Sequence, residues 1–339
     1  MTRTNRQITL ASRPAGAPTA ANFAVKDAPI PEPNEGEVLL ETLWLSLDPY
    51  MRGRMHDGPS YATPTPVGDA MQGGTVGRVL ASRSDKFKAG DIALGYGGWQ
   101  THWVEKGKAL MKLDPAQAPV TTALGVLGMP GFTGWYGLTR IGKPKAGETV
   151  VVAAASGPVG SIVAQLAQHA GAHAVAIAGG MDKVSWIKSE LGVATALDHR
   201  SASFEKDLAA ACPKGIDVYY ENVGGHVFSA VLPLMNNDGR IPVCGIIAHY
   251  NEREAPAGPD RLPGLMGAIL RKRLLVQGFI ISFHYDLYAQ FVGEVAPLVK
   301  SGKIRYREDV VEGLEKAPDA FMGLLQGKNF GKLLVKVGG

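Results

Sequence analysis

Residues Thr149 to Gly171 constrain the fold more than any other stretch of the chain. A β-branched run, Thr149-Val150-Val151-Val152, passes through Ala153 to Ala155 into Ser156-Gly157-Pro158-Val159-Gly160. A segment follows whose apolar residues, Ile162, Val163, Leu166 and Ala167, recur at helical spacing. The pattern predicts a strand, a tight turn and a helix. This is the glycine-rich dinucleotide turn with alanine in place of its first glycine: Gly157 lets backbone approach a pyrophosphate, Gly160 lets the helix pack on the strand, and the amides at the helix start face the anion. Pro158 suits the first helical position, where its missing N–H costs nothing. In a chain with 43 glycines such a turn is weak by itself. Gly171 as a helix stop and a second strand, Ala174 to Ala178, complete a βαβ unit of about 30 residues, and that context makes the turn a candidate cofactor site.

The surrounding pattern predicts a doubly wound α/β fold. Strands are expected at 149–154, 174–178, 216–220, 240–245 and 274–280, with helices near 159–170, 183–191 and 226–236, a succession that builds a parallel sheet. Residues 6 to 120 instead carry Pro, Gly and short alternating runs such as Val38 to Leu43, the mark of a β-rich barrel or sandwich. β character returns in Arg305 to Val311 and Leu333 to Val337, around a short helix from Pro318 to Gln326. At 339 residues about two domains are expected. The simplest division puts a nucleotide-binding domain, 125–303, as an insertion between 1–124 and 304–339 of a β-rich domain.

Net charge is only +4 with scattered basic residues, so no nucleic-acid partner is expected. The compact run Arg271-Lys272-Arg273 reads as a solvated helix end. No apolar core of a signal peptide precedes Leu10 and no apolar run approaches about 18 residues, which predicts a cytoplasmic protein without membrane contact. Cys212 and Cys244 are too few for a disulfide framework and read as reduced and structural.

NAD-binding units place an acidic residue at the end of the second strand. Here that place holds Ala178-Gly179-Gly180, which leaves room for a 2′-phosphate, and Lys183 stands three residues on. Asp182 is expected to cap a helix beginning at Lys183. The expected cofactor is therefore NADPH rather than NADH.

Several segments together resemble a known family. They are Leu45 to Met55, Gly128-Met129-Pro130-Gly131-Phe132-Thr133, Ala154 to Gly160, Glu221-Asn222-Val223-Gly224-Gly225, Gly239 to Gly245 and Gly327-Lys328-Asn329-Phe330-Gly331-Lys332. The chain resembles the zinc-independent medium-chain dehydrogenase/reductases that reduce activated alkenes with NADPH: the prostaglandin reductases, 2-alkenal reductases and curcumin reductase. The resemblance implies a GroES-like domain joined to a Rossmann domain, a homodimer, and NADP(H) in the cleft between the domains. It implies a pyrophosphate near Ser156, Pro158 and Val159 with Gly157 and Gly160, a 2′-phosphate at Gly179 and Lys183 with help from His199 and Arg200, and Thr133 as a further cofactor-binding residue. Relatives commonly carry tyrosine at position 199. Asn222, Cys244, Gly245, Phe279 and Ile281 would line the nicotinamide, while Asn329 and Gly331 would close over the cofactor. Tyr50 and Tyr250 match tyrosines that face the substrate. Zinc relatives carry a Gly-His-Glu ligand motif where this chain has Val67-Gly68-Asp69-Ala70-Met71, and His169 and His173 flank the helix-ending Gly171, so no metal site is expected.

Reduction of an enone or enal delivers hydride to the β-carbon and drives negative charge onto the carbonyl oxygen, so a hydrogen-bond donor there lowers the barrier. Tyr250, on a loop leaving the strand that ends at Gly245, is the first candidate, and Tyr50 the second. A cofactor ribose hydroxyl is a further possible donor. Two other functions fit the same features: an NADPH quinone reductase of the superfamily, and an NADPH-binding protein without turnover.

Overall fold

The computed structural model describes residues 4–252 and 258–338, which form two compact units. One comprises residues 4–125, 251–252 and 308–338; the other comprises 126–250 and 258–307.

The first unit is built on a seven-stranded sheet. Its longest strand, Glu37–Ser46, alternates buried and half-exposed positions along most of its length, as a strand with one face on a core must. It pairs antiparallel with Thr75–Ser82, with His102–Lys106 and with Lys332–Lys336. Glu308–Glu312 then adds parallel to Lys332–Lys336, so the last strands of the chain complete this sheet. The helix Ala317–Leu325 carries fully buried Phe321, whose ring meets Trp99 edge-on at 5.6 Å.

The second unit is a parallel sheet with helices on both faces. Its strands are β1 (Thr149–Val152), β2 (His173–Ala178), β3 (Thr195–Asp198), β4 (Ile216–Tyr220), β5 (Met235–Val243) and β6 (Leu275–Gly278). The helices between and after them are α1 (Pro158–His169), α2 (Met181–Ser189), α3 (Phe204–Ala211), α4 (Gly225–Val231), α5 (Leu262–Lys272) and α6 (Tyr288–Lys300). The spatial order is β3-β2-β1-β4-β5-β6, the Rossmann arrangement, with the order reversing between β1 and β4. Every residue of β1 is buried, as a β-branched central strand requires. Tyr219 packs into one face of the sheet with Phe204, Val227 and Ile241; Tyr220 packs into the other with Trp135, Ile162 and Phe291.

The expected strands and helices of this unit are present with shifts at their ends, and β3, α3 and α6 are additional to them. β3 and α3 give little signal in the sequence: β3 has only four residues, one of them buried, and α3 buries only Phe204 and Leu208. The helix expected at 226–236 ends at Val231 and tightens into a 3₁₀ turn over Leu232–Leu234, because Pro233 has no N–H to continue the α-helical ladder. β5 starts at Met235 rather than 240, through an irregularity in which Asp238 takes a left-handed φ of 60°.

Candidate active site

The carboxyl ends of β1 and β4 meet at the point where the sheet order reverses, the position at which ligands bind in open α/β sheets. After β1 the chain turns through Ala154, in the left-handed region at φ 53°, and the turn closes with Gly157 N–H on Ala154 O at 3.0 Å. Gly157 caps α1, with Pro158 first in the helix. A β-carbon at Gly160 would stand 2.4 Å from Ala154 O and 2.7 Å from Ala155 Cα, so only glycine lets α1 lie this close to the turn. The first-turn amides of α1, those of Val159 and Gly160, lie at the positive end of its dipole, where an anion is favoured. Ser156 is buried beside them. From β4, the Asn222 amide donates to Ala153 O at 2.8 Å and ties the two strand ends together. Just before it, Glu221 is buried and its Oε1 accepts from the N–H groups of Val223 (2.5 Å) and Gly224 (2.9 Å) and from the Tyr219 hydroxyl (3.1 Å). Burial pushes that carboxyl above its ordinary value.

Beyond β5, Cys244 is half-buried, and burial pushes its thiol up to about 12, so it is a neutral side chain. A β-carbon on Gly245 would lie 2.7 Å from the Tyr250 hydroxyl and 3.7 Å from Asn222 O. Gly245 thus makes room for the Tyr250 hydroxyl at this edge. Phe279 and Ile281 follow β6, and the Phe279 ring packs on Tyr136 at 5.3 Å. Thr133 lies in the helix Met129–Tyr136; its hydroxyl donates to Met129 O and its carbonyl accepts from the Tyr220 hydroxyl.

The ends of β2 and β3 form a second feature of this edge. Asp198 Oδ1 accepts from the N–H groups of Gly180 and Arg200, both at 2.9 Å. A β-carbon at Gly179 would stand 2.8 Å from His199 Nε2 and 2.9 Å from Arg200 Nε, so the missing side chain lets an imidazole and a guanidinium pack against the end of β2. Lys183 is half-buried in the first turn of α2. The expected cap at Asp182 is corrected: α2 starts at Met181 and its cap is Gly180, at φ 101°, with Asp182 inside the first turn. Gly180 can take that φ without strain, and it lets the helix start two residues earlier than a side-chain cap at Asp182 would.

Tyr50, Asn329 and Gly331 belong to the first unit. Tyr50 precedes the short helix Met51–Arg54, and its hydroxyl accepts from the Tyr96 hydroxyl at 2.8 Å. Burial, then Tyr96 and Asp48, push the Tyr50 phenol well above its ordinary value, so it stays protonated. Arg54 lies over the rings of both Tyr50 (5.5 Å) and Tyr61 (4.7 Å). The segment leading to Tyr50 is held by a buried ion pair, Lys332 Nζ to Asp48 Oδ1 at 2.6 Å, with Leu47 O as a second acceptor. Asn329 donates to Gly331 O at 2.9 Å within a turn in which Gly331 has φ 91°. Sequence reasoning missed Tyr96, His226 and Glu221 as site neighbours. Only Glu221 stood in a recognisable string.

Among the described residues no three His, Cys, Asp or Glu side chains group as metal ligands, and no helix is long and apolar enough to cross a membrane.

Residues 6–113 match the family described as N-terminal domain of oxidoreductase, and residues 158–296 the family described as zinc-binding dehydrogenase. The chain is 52% identical to the NADPH-dependent curcumin reductase of Escherichia coli, over 99% of this chain and 97% of that one. It is 39% identical to the NADP(+)-dependent 2-alkenal reductase of Nicotiana tabacum, over 98% and 97%. The crystal structure of CurA in complex with NADPH from Vibrio vulnificus superposes with a TM-score of 0.95 at 50% identity, covering 98% of this chain and 99% of that one.

Proposed function

The chain belongs to the medium-chain dehydrogenase/reductase family that contains the curcumin, prostaglandin and 2-alkenal reductases, and from that membership we propose that it reduces the carbon–carbon double bond of enones and enals with NADPH. The observation that carries this reading is the carboxyl edge of the parallel sheet. A glycine turn at a helix start, an imidazole and a guanidinium packed against Gly179, and a tyrosine hydroxyl stand there together, after β1, after β2–β3 and after β5.

Bound NADPH would supply the hydride. The protein's part is binding, orientation and charge stabilisation. The pyrophosphate would lie on the turn from Ser156 to Gly160 and the 2′-phosphate at Gly179, Lys183, His199 and Arg200. Asn222, Cys244, Gly245, Phe279 and Ile281 would face the nicotinamide, with Thr133 next to it, and Asn329 and Gly331 would contribute from the C-terminal segment. Negative charge that develops on the substrate carbonyl oxygen would be met by Tyr250, whose hydroxyl stands at Gly245. Tyr50 is the second candidate donor, and its raised phenol keeps its proton at neutral pH. With a phenol in this role no metal is required, and the segment Val67 to Met71 contains no histidine to bind one.

Offered deuterated coenzyme and a panel of conjugated ketones and aldehydes, the enzyme should place deuterium on the β-carbon of a saturated product. Label that never enters product with any of them would end this reading. Tyr250→Phe should lower kcat/KM by about 10- to 150-fold, the loss of one hydrogen bond to a charged group.

We further propose a homodimer in the cytosol. Support for the dimer lies on the second unit: α5 exposes Leu262, Met266 and Leu270, four residues apart on one face, and the sheet-edge strand β6 exposes Leu275 and Val276. Support for the compartment is the free state of both cysteines.

A further inference from the structure

His226, the second residue of α4, meets His199 just past β3, and the contact decides where the imidazole protons sit. His226 Nε2 lies 3.1 Å from the His199 carbonyl oxygen and 3.2 Å from His199 Nδ1. A carbonyl oxygen can only accept, so His226 Nε2 carries a hydrogen. A second hydrogen on His199 Nδ1 would face that one across 3.2 Å. Nδ1 is therefore an acceptor, and neutral His199 holds its proton on Nε2. Nε2 is also the atom that lies against Gly179, beside Arg200 Nε.

We propose that His226 is a positioning residue that locks His199 in the Nε2–H tautomer, so that His199 presents a neutral donor, next to the Arg200 guanidinium, to the 2′-phosphate of NADPH. The proposal rests on the reading of the Gly179, Lys183, His199 and Arg200 cluster as the phosphate site and adds the residue that tunes it. The surroundings oppose a second proton on His199: burial, His226 and the Arg200 cation all hold its imidazole below the ordinary value, against smaller pulls from Asp198 and from a hydrogen bond with its own backbone. The Asp198 carboxylate is itself engaged by the amides of Gly180 and Arg200. Around the pair stand Phe204 of α3, edge-on to the His226 ring at 6.2 Å, and His249, whose Nε2 accepts from the Gly225 amide at 3.1 Å at the foot of α4. Lys183 and Asp182 lie on α2.

Long-range ¹H–¹⁵N spectra of the full chain should find His199 as the Nε2–H tautomer at pH 7.5. Removing the lock in His226→Phe should weaken NADPH binding about tenfold at pH 8 and reduce the NADPH/NADH preference by the same factor, because a lone pair can then face the phosphate. At pH 6 the released imidazole takes up a proton and the deficit should narrow. His226→Gln, which keeps an N–H donor toward the His199 carbonyl, should restore both the tautomer and the preference. A proton found on Nδ1 in the wild type, or an unchanged NADPH/NADH ratio in His226→Phe, would overturn the role of His226. Arg200→Ala and Lys183→Ala separate this failure from that of the phosphate reading: if both also leave the ratio unchanged, the phosphate lies elsewhere.

Discussion

Ala154 shows how one residue can carry strain at a binding turn. Its φ of 53° is the left-handed region, which costs an alanine about 1–2 kcal/mol, while a glycine there loses about 0.5–1 kcal/mol in chain entropy. Ala154→Gly should therefore gain about 0.5–1 kcal/mol in a urea melt, and a lower midpoint at constant slope would contradict the strain argument. Gly160 is the opposite case, since a β-carbon 2.4 Å from a backbone oxygen leaves nothing flexible to yield. Asp198 couples charge to stability. Burial pulls its carboxyl up, but the amides of Gly180 and Arg200, with the nearby His199 and Arg200 charges, outweigh it and hold it below the ordinary aspartate value. A carboxyl depressed on folding contributes stability that is fully present above its unfolded value and is lost as pH falls through the folded one. Asp198→Asn should therefore flatten the acid limb of the Tm-versus-pH curve below about pH 4; limbs that stay parallel would refute this.

Among the elements, the strand Lys332–Lys336 carries a buried cation whose loss is costly. Lys332 and Asp48 are both buried and lie 284 residues apart in sequence. Lys332→Met leaves the Asp48 carboxylate uncompensated and should cost about 3–5 kcal/mol, whereas Lys332→Met with Asp48→Leu should recover much of it. Denaturation of the single and double variants checks this, and a double variant as unstable as the sum of its parts would argue against the pairing. The elements that were hardest to read share a physical cause. β3 and α3 are short and bury few residues, so neither develops a period, whereas β1, β2 and α1 are buried along most of their length and announce themselves. The boundaries that moved, at α2, α4 and β5, did so at Gly180, Pro233 and Asp238, where single-residue backbone geometry rather than periodicity sets the limit.

For the whole molecule, the exposed stripe on α5 and the edge strand β6 lead to a test of assembly. Light scattering should give twice 35.8 kDa for the wild type, and Leu270→Lys with Leu275→Lys should return it toward one chain; a monomeric wild type would remove the dimer. The sequence by itself determined the doubly wound class, the glycine turn and the absence of an acidic residue after β2, because strand and helix periods and obligatory glycines are local properties of the chain. Only the tertiary structure decided that His226 meets His199, that Tyr96 meets Tyr50, that Asp198 holds Gly180 and that Lys332 neutralises Asp48. Each pair joins residues 18 to 284 positions apart, and such contacts exist only once strand order and helix packing bring their elements side by side.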